Sequence, residues 1–108
     1  MQNVDKYLEH IRADYKSWNG SCMRQNDEIL NKMIQEFCDG VCIKEGSKYI
    51  KVCTNKGGTV HSFILKKDAG KFRAGDILKA ASYAAPALNF ARGNVLAGDW
   101  KNVRWTGA

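Results

Sequence analysis

VCIKEGSKYIKVCTNKGGTVHSFILKK, residues 41–67, is the stretch that decides the fold. Two β-rich runs, 41–45 (VCIKE) and 48–54 (KYIKVCT), flank Gly46-Ser47, a short hairpin signal. Lys56-Gly57-Gly58 turns the chain again, and TVHSFILKK (59–67) supplies a third run. Three consecutive strands joined by tight glycine turns predict an antiparallel meander. Alternation then sets the faces. Tyr49, Lys51 and Cys53 share one, and Lys48, Ile50 and Val52 the other. In the third run His61, Phe63 and Leu65 oppose Val60, Ser62 and Ile64.

Downstream, KKDAGKFRAGD reads as a long basic turn carrying Lys71 and Arg73, and DILKA (76–80) as a fourth strand with Lys79 on the face of Ile77 and Ala81. The alanine-rich KAASYAAPALNFARGN (79–94) holds the chain's one proline and no acidic residue. Proline is tolerated at the first helical position and glycine just past the last, so Pro86–Arg92 is expected to form a helix of about two turns. Gly98-Asp99 turns, and Asn102–Trp105 closes the sheet as a final strand.

Upstream, the pattern changes to a helical one. Val4, Tyr7, Leu8, Ile11, Tyr15 and Trp18 recur at i, i+3, i+4, i+7. Asn3 is the expected N-cap and Asn19-Gly20 the stop. Ile29, Leu30, Met33, Ile34 and Phe37 form one face of a second helix, capped by Ser21 or Asn26, supported by the Glu28/Lys32 pair and stopped at Gly40. The expected fold is α+β: one domain of 108 residues, an N-terminal helix pair (1–40) packed on a mostly antiparallel sheet of about five strands in a basic part (41–108).

Charge divides along the same boundary. Residues 1–40 carry five Lys/Arg against seven Asp/Glu, and residues 41–108 carry twelve against four. The net charge of +6 therefore comes entirely from the second part. Such asymmetry points to a polyanionic or phosphate-bearing partner, against the plainer reading of a lysine-rich solvated surface. No apolar run is long enough to span a membrane, and MQNVDKYLEH lacks the apolar core of a secretory signal. A reducing cytoplasm is expected. The cysteines, Cys22, Cys38, Cys42 and Cys53, then read as free thiols. A metal site from Cys38, Cys42, Cys53 and His61 is the sharper alternative, but structural zinc sites usually come as two close pairs, and here there is one.

No catalytic signature occurs, neither HExxH, GxSxG, a P-loop nor a Rossmann glycine pattern. His61 as a general base competes with a hydrogen-bonded strand histidine. A non-enzymatic, cofactor-free binding role is the expectation. Its candidate residues are Lys79, Ser82, Tyr83, Asn89, Arg92 and Asn94, grouped around the expected helix N-terminus. Lys51, Lys71, Arg73, Arg104 and Trp105 form a second set. Lys and Arg would neutralise phosphate, Ser and Asn would orient the ligand, and aromatic rings would stack on bases.

KYIKV (48–52), VHSFILKKD (60–68), KFRAGDILKAASYAAPALNFARGN (71–94) and VRWTGA (103–108) resemble small proteins of tailed bacteriophages, including T4-like ones. Related forms carry a GDI-x-K-x-A-S-aromatic-x-x-P-A core followed by ARGN. The resemblance covers roughly the second two thirds of the chain. It implies a viral origin and action in a host cytoplasm; it brings no activity and no functional residue. Three readings follow: a binder of nucleic acid or another polyanion, a binder of a small nucleotide signal in counter-defence, or an inhibitor docking on an acidic host protein.

Overall fold

The computed structural model describes residues 2–22 and 28–108, with side-chain surroundings for 2–17 and 32–108. Helices α1 (Val4–Cys22) and α2 (Glu28–Gly40) precede five strands: β1 (Cys42–Glu45), β2 (Tyr49–Thr54), β3 (Thr59–Leu65), β4 (Asp76–Lys79) and β5 (Gly93–Asn94). The strands lie in the order of the sequence, and every neighbouring pair is antiparallel. The α+β architecture and the meander are those the sequence predicts.

One face of the sheet carries the main core. Val4, Tyr7, Leu8 and Ile11 of α1 pack on Ile50, Val52, Ile64 and Ile77, with Val95 and Val103 closing the ends. Burying such side chains contributes roughly 1.5–3 kcal/mol each, so tertiary packing of its apolar face, more than helix propensity, holds the 19-residue α1 in place. Helix α2 joins at one end. Phe37 stacks on Tyr15 at 3.9 Å, and Trp105 meets both rings edge-on. Arg12 ties the helices together by donating from Nε to the Cys38 carbonyl at 3.1 Å. That bond adds a second donor to a carbonyl near the end of α2, which also accepts from the Val41 amide at 3.4 Å.

Several local expectations are corrected. The β1–β2 loop is Ser47-Lys48, because the Gly46 amide donates to the Tyr49 carbonyl. This lies one residue later than the Gly46-Ser47 signal and puts Lys44 opposite Lys51. A β-bulge between β2 and β3 skips His61, so Val52 faces Ser62 and Cys53 faces Val60. His61 therefore leaves the face of Phe63 and turns toward Tyr7, 6.2 Å away between ring centroids. Asn3 stands immediately before α1 and its carbonyl accepts from the Tyr7 amide at 2.9 Å, while its side-chain Nδ2 donates to the Val95 carbonyl at 3.0 Å. Helix α1 passes Asn19-Gly20 and reaches Cys22. Trp18, Ser21, Asn26, Ile29, Leu30 and the Glu28/Lys32 pair lie outside the described side chains.

Pro86–Arg92 is not helical. Its backbone donors bond to the β4 edge instead: the Ala87 amide to the Lys79 carbonyl and the Arg92 amide to the Ile77 carbonyl, both at 2.7 Å. A two-turn helix is marginal in water, while an open sheet edge offers fixed partners. The segment covers that edge. The final strand is correspondingly Gly93–Asn94, and Arg104 forms only an isolated bridge with Gly107. Gly93 is needed where it stands, since a Cβ there would collide with the Asp99 carbonyl oxygen.

Candidate nucleic-acid interface

The second face of the sheet, away from α1, is where basic and aromatic residues meet. Alternation puts Lys44, Lys51, Phe63 and Leu78 in one cross-strand row, and Tyr49 opposite Leu65 in another. Phe63, Leu65 and Leu78 are buried. Two open hollows lie beside them, with Ala69–Phe72 and Leu88 bordering Leu65 and Leu78, and Ala84 bordering Phe63. One, about 300 Å³, is bordered by Lys44, Lys48, Tyr49, Lys51, Phe63 and Ala84. The other, about 310 Å³, is bordered by Lys48, Tyr49, Leu65, Lys71, Phe72, Leu78 and Leu88. They share Lys48 and Tyr49 and so form one groove.

Tyr83 stands at the first hollow as a fixed platform. Its hydroxyl donates to the Gly57 carbonyl at 2.7 Å and accepts from Lys44 Nζ at 2.9 Å. The second bond raises the Lys44 pKa, favouring the ammonium form. Gly57 follows Asn55 and Lys56, and all three have positive φ, a tight left-handed turn that presents the carbonyl. Lys51 Nζ lies 4.2 Å from the Tyr83 ring centroid, and 48% of Tyr83 remains exposed. Lys48 Nζ sits 5.5 Å from the Tyr49 ring, and Lys71 Nζ 5.2 Å from the Phe72 ring.

Lys44 and Lys51 are directly opposed like charges, an arrangement that destabilises a sheet unless something compensates. The Tyr83 ring and hydroxyl do so in part. Among the described residues no carboxylate lies within ion-pair distance of Lys44, Lys48, Lys51 or Lys71. Glu45, the nearest acid in sequence, is held by Lys66 at 3.0 Å, which lowers its pKa. Glu45 also borders the first hollow, but its carboxylate is already paired with Lys66, so the groove carries a net excess of positive charge beside aromatic faces.

Of the sequence-predicted residues, Lys51 and Lys71 line this groove, and Tyr83 stands beside it against Lys44 and Lys51. Lys79 does not: it pairs with Ser62 in the row facing the helices, beside Thr106 and Gly107. Arg104 approaches Asp14 at 4.0 Å, and Trp105 packs against the core. Lys51, Lys79 and Arg104 therefore do not converge. Asn94 is a clamp, its Nδ2 donating to the Ala74 carbonyl and to Asp76, its Oδ1 accepting from the Ala97 amide. Asn89 caps its neighbour Phe90, and its carbonyl accepts from Lys71 Nζ. Arg92 stacks on Phe90 at 4.0 Å. Ser82 and Arg73 are exposed in turns. Lys44, Lys48, Phe63 and Phe72 are the groove residues that sequence reasoning missed. The available signal was the hairpin register: placing the turn one residue later pairs Lys44 with Lys51.

His61 is a structural histidine. It is 4% exposed and bonded on both nitrogens. The Arg104 carbonyl only accepts, so Nε2 carries the proton and donates at 2.6 Å. Nδ1 then accepts from the Ser62 hydroxyl at 2.8 Å, whose oxygen accepts from the Tyr7 hydroxyl at 2.7 Å. Burial is the main cause that lowers the His61 pKa, and it raises that of Tyr7. Among the described residues no three His, Cys, Asp or Glu side chains are placed to hold a metal ion. None of the described helices is long and apolar enough to cross a membrane.

Comparison with curated proteins and with solved structures finds no match. Residues 1–108 match one family profile throughout, and the chain belongs to that family, the family of unknown function DUF7717.

Proposed function

We propose that this protein is a non-enzymatic nucleic-acid-binding module, phage-encoded and acting in the host cytoplasm, and that the groove of Lys44, Lys48, Lys51 and Lys71 is its binding surface. The observation that carries the reading is the opposed pair Lys44–Lys51 flanking the exposed Tyr83 ring without a carboxylate partner. A phosphate relieves that repulsion, and a base stacks on an aromatic face; together these are the two halves of a nucleotide. The rings of Tyr49 and Phe72 border two adjoining hollows, with Tyr83 beside the first against Lys51, an arrangement that suits an extended single strand better than a duplex. The phage origin rests on the motifs of residues 48–94 and 103–108 alone.

A second reading is favoured by size. Each hollow, about 300 Å³, lies in the range of small-molecule sites, so a mononucleotide signal would fit one of them. The experiment is fluorescence anisotropy with a labelled single-stranded oligonucleotide, competed by unlabelled duplex, single strand and mononucleotides. The proposal expects the single strand to compete best. Competition by one mononucleotide alone supports the second reading, and absence of binding at low salt contradicts both.

A further inference from the structure

We propose that Cys42 and Cys53 form a reversible dithiol–disulfide site that exchanges with a low-molecular-weight disulfide such as oxidised glutathione. The inference is independent of the groove's ligand. It begins with register: Cys42 on the edge strand β1 lies directly opposite Cys53 on β2. Opposed residues of an antiparallel pair have Cα atoms about 4.5–5.5 Å apart, within the roughly 4.4–6.8 Å that a disulfide spans. Alternation puts both side chains on the same side as Lys44 and Lys51, one row further along. The bridge therefore forms across strands already held in place by the ladder.

The two thiols differ in access. Cys42 is half-buried and Cys53 fully buried. Burial raises the Cys53 pKa and its neighbour Cys42 adds to the rise, while Lys44 and Lys51 oppose it. Cys42 is thus the entry thiol and Cys53 the resolving one. The Cys42 thiolate, having given its proton to water, attacks one sulfur of the glutathione disulfide. A protein–glutathione disulfide forms and one glutathione thiolate leaves. Cys53, deprotonated in turn, attacks Cys42 Sγ and expels the second glutathione. Two protein thiols are oxidised to one disulfide, and one glutathione disulfide is reduced to two thiols.

The test treats the folded chain with oxidised glutathione and maps its peptides by mass spectrometry. The expected product is a Cys42–Cys53 linked peptide lacking two hydrogens, restored by dithiothreitol. A Cys22→Ser/Cys38→Ser variant yields the same product, and Cys53→Ser stalls with glutathione on Cys42. Three results overturn the proposal: a bridge to Cys22 or Cys38 in its place, wild-type protein stalled as the glutathione adduct, or no reaction at either thiol under conditions that oxidise both in urea.

Discussion

Lys44 lies directly opposite Lys51 across the β1–β2 ladder, and both ammonium groups reach the ring of Tyr83, at 5.6 and 4.2 Å. A sheet chosen for stability alone would put opposite charges there. Lys51→Glu is therefore expected to stabilise the free protein by up to about 1 kcal/mol, since an opposed ion pair replaces an opposed repulsion. The same change is expected to abolish nucleic-acid binding. Denaturant unfolding and anisotropy on one preparation check both halves.

Tyr83 separates platform from anchor. Tyr83→Ala removes the exposed ring and is expected to weaken single-strand binding by about 1–3 kcal/mol, the usual worth of one stacked base. Tyr83→Phe keeps the ring and loses the bonds to Gly57 and Lys44, so it should retain most of the affinity. Isothermal titration of the two variants distinguishes the contributions. Equal losses would mean that the hydroxyl network, and not stacking, carries the effect.

Ser62 joins two buried partners. Ser62→Ala leaves the Tyr7 hydroxyl without its acceptor and His61 Nδ1 without its donor. A buried unsatisfied group costs about 1–3 kcal/mol, so a destabilisation of that order is expected from urea unfolding. Tyr7→Phe in the Ser62→Ala background should recover part of it, because the orphaned hydroxyl is then absent.

The buried His61 makes stability depend on pH. Burial depresses its folded pKa below the ordinary imidazole value of about 6.5, so the unfolded chain binds the proton more readily. Its stabilising contribution is complete above about pH 6.5 and is lost as pH falls from there toward the folded pKa. The slope is at most about 1.4 kcal/mol per pH unit for one proton. Urea unfolding at successive pH values should show this decline, and His61→Gln should flatten it.

The legibility of this protein follows from how local each signal is. The meander was readable because glycine turns and β-branched runs act over a few residues, as at 56–58 and 59–65. The core face of α1 was readable from its 3.6-residue period, and Val4, Tyr7, Leu8, Ile11 and Tyr15 are all buried. What escaped depends on distant partners. Pro86–Arg92 has the composition of a short helix, yet the carbonyls of Ile77 and Lys79 outcompete the helical bonds. The bulge that turns His61 toward Tyr7 leaves no mark in the sequence. The site is half visible for the same reason: the sequence points to Lys51, Lys71 and Tyr83, but the residues that complete the groove depend on where one hairpin turns. Lys79 was lost because the row it shares with Ser62 faces the helices.

The most direct test is the salt dependence of single-strand affinity for wild type and for a Lys44→Ala/Lys51→Ala variant, with Lys79→Ala beside them. Each phosphate contact contributes about −0.7 to the slope of log affinity against log salt. The account predicts a shallower slope for the double variant, by roughly 1.4 if both lysines meet phosphates, and an unchanged slope for Lys79→Ala. A wild-type slope retained without Lys44 and Lys51, or lost with Lys79 alone, would contradict the placement of the ligand on this face.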